Sequence, residues 1–311
     1  MTSMAMEFIL GSRDPDRIGC GRACRIVHRP HLVCLIGVLL MITIPCVTAM
    51  AQTFAIVEPA DTEQGRELTE RLRGRIIQNV RVVDLGLSLT AFRSNSPEDP
   101  YNLASEAAMD LGSAIGCRFY VILRTATVRR SSFERKEYYE AFAVYYLVSS
   151  KTGRLIFWKL DQLEDENPKV ANEKLLEQVS VTAGELLARA RQAEAVEQTG
   201  PPKGQPSEDL PDEGEDAKLR PPMPYLRIKP EYTKLADYFG ISAVIDVIVA
   251  IDESGAVTGT EIVRWAGFGL DESVDKAVKS MNWRPADRNG NTLPMRVLLR
   301  YNFRELAEED N

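Results

Sequence analysis

The side chains that could perform acid–base, nucleophilic or metal chemistry are unevenly placed along this chain of 311 residues. Both histidines, His28 and His31, and four of the five cysteines, Cys20, Cys24, Cys34 and Cys46, lie in the first 51 residues. Once that segment is removed, Cys117 is the single thiol and no imidazole is left. Cys–His and Ser–His catalysis, histidine-ligated zinc and an internal disulfide are then excluded. Cys117 follows Gly116 at a helix-to-strand junction and reads as a small buried hydrophobe. The acid pairs Asp252 with Glu253 and Asp271 with Glu272 sit at a turn and a helix start, where carboxylates are expected for structural reasons. The acidic run 161–166 lacks the alternating ligands and central glycine of a calcium loop and reads as surface. Arg124, Arg129, Arg130, Arg135 and Lys136, near Phe133, Tyr138 and Tyr139, read as a solvated hairpin tip or an anion site. The expectation is a protein without catalytic residues, metal or cofactor.

The first 51 residues have the form of an export leader. Arg22, Arg25 and Arg29 precede an apolar run, Leu32 to Ile44, and Ala49-Met50-Ala51 before Gln52 has the small-x-small form of a signal-peptidase site. Taken as 32–51, the same run is long enough for an uncleaved inner-membrane anchor, so a soluble periplasmic product and an anchored one both stay open. Beyond residue 51 the chain has 260 residues, enough for two modest domains. Its formal charge of −7 falls to about −9 without the leader's five arginines and three acids, which makes nucleic acid a poor partner.

The elements that must position any site follow from periodicity. Residues 52–194 read as a βαβαβββα domain. A strand at 54–57 leads to a helix with Leu68, Leu72 and Ile76 on one stripe, capped by Asp61 with Gln64 three residues on. A strand at 80–85 and a turn near 96–100 follow. A helix then carries Leu103, Ala107, Leu111 and Ile115, with Gly116 ending it. Strands at 118–127, 138–149 and 155–160 and a long helix over 168–194 complete the domain. Residues 195–223 hold a proline-rich, acidic tether able to span on the order of 90 Å if fully extended. From 224 to 311 the pattern is αββαβ. Pro230 opens a short helix ended by Gly240. Ala243, Ile245, Val247, Val249 and Ile251 alternate, Asp252 to Gly255 turns the chain, and a strand covers 257–264. Asp271 N-caps a helix with Val274, Val278 and Met281 on one side. Met295, Val297, Leu299, Tyr301 and Phe303 then alternate with Arg296, Leu298, Arg300 and Asn302 in a last strand. The fold class is α+β, in two small domains.

The C-terminal residues carry a family resemblance. Pro230-Glu231-Tyr232 with Leu235-Ala236, the run Ile251 to Val257, Gly267 through Leu270-Asp271, and Trp283-Arg284-Pro285-Ala286 with Asn289-Gly290 resemble the C-terminal domain of TonB energy transducers. Two positions depart from that pattern: Thr233 stands where a proline is usual, and Trp265-Ala266 where a small serine pair is. The resemblance implies binding by strand addition, in which an extended segment of an outer-membrane TonB-dependent receptor, or another envelope protein, pairs beside the last strand. It places the receiving edge at Pro294, Met295, Arg296, Val297, Leu298, Leu299, Arg300, Tyr301, Asn302 and Phe303. Arg296 and Arg300 would meet an acidic segment, or would simply keep an exposed edge soluble. An anchored chain would also engage an inner-membrane motor complex, a cleaved one would be an adaptor or assembly factor, and the edge can pair with a second copy as a homodimer. Residues 54–194 more loosely resemble the anticodon-binding-domain-like fold of TolB amino-terminal and curli-secretion lipoprotein domains, which implies a docking or assembly role in the envelope.

Overall fold

These patterns become two main sheets and two small ones in the computed structural model, which describes residues 52–199, 208–210 and 218–304. Ala49, Ala51 and the apolar run 32–51 lie outside the described residues. Gln52 is the first of those described, and its amide donates to Glu194.

The first part holds β1 (Thr53–Val57), α1 (Glu63–Ile76), β2 (Arg81–Val82), α2 (Leu85–Asn95), α3 (Ser105–Ile115), β3 (Phe119–Arg130), β4 (Tyr138–Ser149), β5 (Leu155–Asp165) and α4 (Pro168–Thr199). Its sheet has the order β2-β1-β3-β4-β5, with β2, β1 and β3 parallel and the β3-β4-β5 meander antiparallel. Alternate side chains point to opposite faces of each strand. One face, with Phe54, Val121 and Tyr145, is covered by Leu68 and Leu72 of α1 and Leu175, Val179 and Leu186 of α4. The other, with Ala55, Tyr120 and Ile122, takes Phe92 of α2 and Leu111 and Ile115 of α3.

Several local expectations change. The strand expected over 80–85 is only two residues long, because Asp84 caps α2, its carboxylate accepting from the Leu87 N–H at 3.1 Å. The cap of α1 is Thr62 and not Asp61: the Thr62 hydroxyl accepts from the Gly65 N–H at 2.9 Å, while Asp61 takes φ 52° and pairs with Arg66 and Arg93. The acidic run 161–166 is not all surface, since β5 extends through it and buries Asp161 against the Thr182 hydroxyl at 2.5 Å. The basic residues do not converge. Arg129, Arg130 and Arg135 pair separately with Glu137, Glu140 and Glu164, and Arg124 lies over Tyr101.

The second part begins within the stretch expected to be a free tether. Helix α4 runs on to Thr199, and β6 (Glu208–Asp209), β7 (Leu219–Arg220) and β8 (Met223–Pro224) each pair with later residues. Then come α5 (Lys234–Tyr238), β9 (Ala243–Ile251), β10 (Val257–Arg264), α6 (Leu270–Lys279), β11 (Trp283–Arg284), β12 (Ala286–Arg288), β13 (Asn291–Leu293) and β14 (Met295–Phe303). The main sheet has the order β10-β9-β14-β6. The turn after β9 forms as its residues dictate: the Asp252 carboxylate accepts from the N–H groups of Ser254 and Ala256, and Gly255 takes φ 86°. On α6 the cap differs, Gly269 preceding Leu270. Asp271 reaches back to accept from the N–H groups of Ala266 and Gly267.

The two parts share one apolar core. Trp265, 1% exposed, packs on Tyr146 with ring centroids 5.7 Å apart and donates its indole N–H to the Gly153 carbonyl at 3.1 Å. Phe268 meets Trp158 at 4.9 Å and Phe239 meets Phe142 at 5.0 Å. Polar groups close the seam. The Asn102 amide donates to the carbonyls of Val244 and Trp265, both at 2.8 Å, and its oxygen accepts from the Val244 N–H at 3.0 Å. Close approach depends on glycine here. A Cβ at Gly267 would lie 2.3 Å from the Trp158 ring, and one at Gly153 1.9 Å from the Ser105 carbonyl oxygen.

On the outer face of the main sheet, Asp246 of β9 stands between Arg300 of β14 and Arg264 of β10, its register partners on either side. Arg300 donates at 2.7 and 3.0 Å and Arg264 at 3.1 Å. Burial pushes the Asp246 carboxyl up, but the two guanidinium groups outweigh it and hold the pKa below the ordinary value of 3.8.

Two outcomes follow. Trp265→Ala should cost about 3–5 kcal/mol of stability in urea unfolding, the range for deleting a large buried aromatic; a loss under about 1 kcal/mol would contradict the shared core. An acid with a depressed folded pKa adds stability above its unfolded pKa and loses it as pH falls through the folded one. The stability gap between wild type and Asp246→Asn should therefore be steady above about pH 5 and close below about pH 4. A gap unchanged down to about pH 2 would show that the cluster does not act through charge.

Candidate functional site

A four-stranded sheet has two lateral edges, and here they differ. The β10 edge is irregular, with register shifts between Val257 and Gly259 and between Ile262 and Arg264. At its end the first part closes it: Ala104 bridges Arg264, the Trp265 N–H donates to the Leu103 carbonyl at 3.4 Å, and Arg264 donates to the Asn102 carbonyl at 3.3 Å. Bulges and covering segments are standard ways of closing an edge to further pairing.

The β14 edge is long and regular. Its nine residues run in unbroken antiparallel register with β9, from Met295 opposite Ile251 to Phe303 opposite Ala243. Met295, Val297 and Phe303 are buried on the inner face, while Leu298 on the outer face is 57% exposed. The carbonyls of Pro294 and Arg296 face away from β9, accepting from the N–H groups of Glu208 and Leu210 at 3.4 and 3.0 Å. Main-chain groups of alternate strand residues point the same way. Leu298, Arg300 and Asn302 therefore present their N–H and C=O groups outward, while Val297, Leu299 and Tyr301 direct theirs to β9. Beyond Arg296, no strand pairs with the outward side of β14 among the described residues.

The structure brings all ten expected edge residues into this one stretch but divides their duties. The two arginines expected to meet an acidic partner are both engaged by acids of the same chain. Arg300 is held by Asp246, and Arg296 donates to Asp209 of β6 at 2.6 Å. The hydrogen bond from Arg296 holds the Asp209 carboxyl below the usual range. Arg288, outside the expected set, pairs with Glu208 at 2.8 Å. Its role was hidden because it ends the three-residue β12, before the Asn289-Gly290 turn, and its partner lies 80 residues earlier.

The two departures from the family pattern have separate roles, one within the second part and one at the seam. The Thr233 hydroxyl caps α5, accepting from the Ala236 N–H at 3.1 Å, and donates to the Phe268 carbonyl at 2.6 Å, while Trp265 fills the first part's apolar face. Asp271 ties down the loop between β10 and α6. Burial pushes its carboxyl up to about 7 against the pull of the Gly267 and Ala266 N–H groups. Burial likewise raises the Cys117 thiol to about 11, far from a reactive thiolate. No cluster of three or more His, Cys, Asp or Glu able to hold a metal occurs among the described residues. None of the described helices is long and apolar enough to cross a membrane.

Comparison with known proteins bears on the second part directly. The family described as Gram-negative bacterial TonB protein C-terminal matches residues 228–304. The solution structure of the Pseudomonas aeruginosa TonB C-terminal domain is 17% identical, covers 33% of this chain and 96% of its own, and has a TM-score of 0.25. A lipoprotein from Neisseria meningitidis is 12% identical, with 44% of this chain and 98% of that one covered and a TM-score of 0.32. A minor lipoprotein from Acinetobacter baumannii is 10% identical, with 47% and 94% covered and a TM-score of 0.24. No curated protein matches the chain. Residues 228–304 thus match the TonB C-terminal family and lie against a second α+β part of the same chain.

Proposed function

We propose that this is a protein-interaction component of the bacterial cell envelope that takes up an extended segment of a partner beside β14 by strand addition. In the transport reading, the partner is an outer-membrane receptor. The observation that carries the proposal is the outward row of main-chain groups at Leu298, Arg300 and Asn302, on an edge that is regular where the opposite edge is bulged and bridged. An extended peptide gains a ladder of hydrogen bonds there, and the side chains of the outer face set selectivity.

How the bound partner is used depends on the leader. If residues 32–51 remain in the inner membrane, the chain joins that membrane to the bound receptor and can pass force from a motor complex to a transporter. A second reading, a cleaved periplasmic adaptor or assembly factor, is favoured by the seam: Trp265, Phe268 and Asn102 fix the TonB-type domain to the first part, so it does not end a free tether. Both readings use the same edge.

A photo-reactive residue at Leu298 or Asn302, installed in the full chain in a Gram-negative host, should give adducts with an outer-membrane protein. With the probe at Asn302, Leu298→Pro should abolish them without unfolding the chain, since it removes an outward N–H and leaves the ladder to β9 intact. Adducts that persist in the proline variant would sink the strand-addition reading.

A further inference from the structure

The receiving edge already holds a strand. Glu208 and Asp209 run parallel to β14 opposite Met295 and Arg296, with main-chain bonds from Glu208 to Pro294 and from Leu210 to Arg296. Each acid also has a cation on the domain: Asp209 meets Arg296 at 2.6 Å and Glu208 meets Arg288 at 2.8 Å. Main-chain pairing and matched charge thus coincide in one short acidic segment, which is what an extended peptide seated on an edge presents. The segment takes only the first two residues of a nine-residue strand, leaving the rest of the edge without a paired strand among the described residues.

We propose that Glu208, Asp209 and Leu210 are a built-in occupant of the receiving edge, which an incoming extended acidic segment must displace to pair along the whole of β14. The inference rests on the strand-addition reading and adds a competitor to it. Because the segment belongs to the same chain, it competes intramolecularly, however dilute the protein is. A free peptide of similar affinity is then held off, whereas a partner that also pairs along Leu298, Arg300 and Asn302 gains contacts the internal strand lacks. Arg288 and Arg296 make acidic residues the matched chemistry at the start of the partner's segment. The arrangement also blunts an edge otherwise open to a second copy.

The test uses the full chain and, as probe, a labelled synthetic peptide of the chain's own residues 205–213. The double variant Glu208→Lys with Asp209→Lys should bind this peptide at least about 10-fold more tightly than wild type, the factor expected when a site is free a tenth of the time or less. Adding Arg296→Glu should remove that gain. Equal binding to wild type and double variant would overturn the internal occupant and leave strand addition standing. If neither binds, exchange of the Leu210 amide decides. Protection in wild type that is lost in the double variant would keep the occupant and count against acceptance of separate strands; an unprotected Leu210 in wild type would overturn the occupant itself.

Discussion

The burial of Trp265 against the sheet of the first part is the contact on which the rest of this architecture depends. A buried tryptophan usually needs an acceptor for its indole N–H, and for Trp265 the Gly153 carbonyl supplies one. That carbonyl is within reach because Gly153 holds φ 65° with no Cβ to strike the Ser105 backbone. Once Trp265 is seated, Arg264 and Val244 are brought beside residues 102–104, and the Asn102 side chain satisfies main-chain groups that β9 would otherwise leave unpaired. Unpaired buried groups of that kind cost free energy comparable to a lost hydrogen bond, so the seam is selective as well as apolar.

This constraint also decides which edge of the TonB-type domain is available. The contact that seats Trp265 covers the end of β10, and the bulges in that strand spoil its register elsewhere. What is left is β14, straight, nine residues long and stitched to β9 by the Asp246 cluster on its outer face. The two arginines that give the edge its positive character are both tied to acids of the same chain, Arg296 to Asp209 and Arg300 to Asp246.

Much of this was legible in the residues. The alternation in β9 and β14 is clear because one face of each is buried, and Asp252 with Gly255 specifies the turn that joins β9 to β10. Helix α2 was hidden because Leu85, Leu87 and Leu89 alternate as a strand would and Gly86 weakens the helical signal; only Asp84 marks its start. The tether strands are two residues long, too short for any period to show. Trp265 stood out as a departure, but its acceptor lies 112 residues away in sequence and only the fold brings them together. Arg296 and Arg300 were recognisable as edge residues, while Asp209 and Asp246 became their partners through register, which no local pattern records.

Beyond Arg296, β14 presents a row of outward main-chain groups that no strand pairs with among the described residues. Residue-resolved amide exchange along β14 in the full chain tests it most directly. Exchange should be slow at Val297, Leu299 and Tyr301, which donate to β9, and fast at Leu298, Arg300 and Asn302, which face outward. Equal protection of both sets would mean that the edge is already paired along its length, and the proposed binding surface would have to be sought elsewhere.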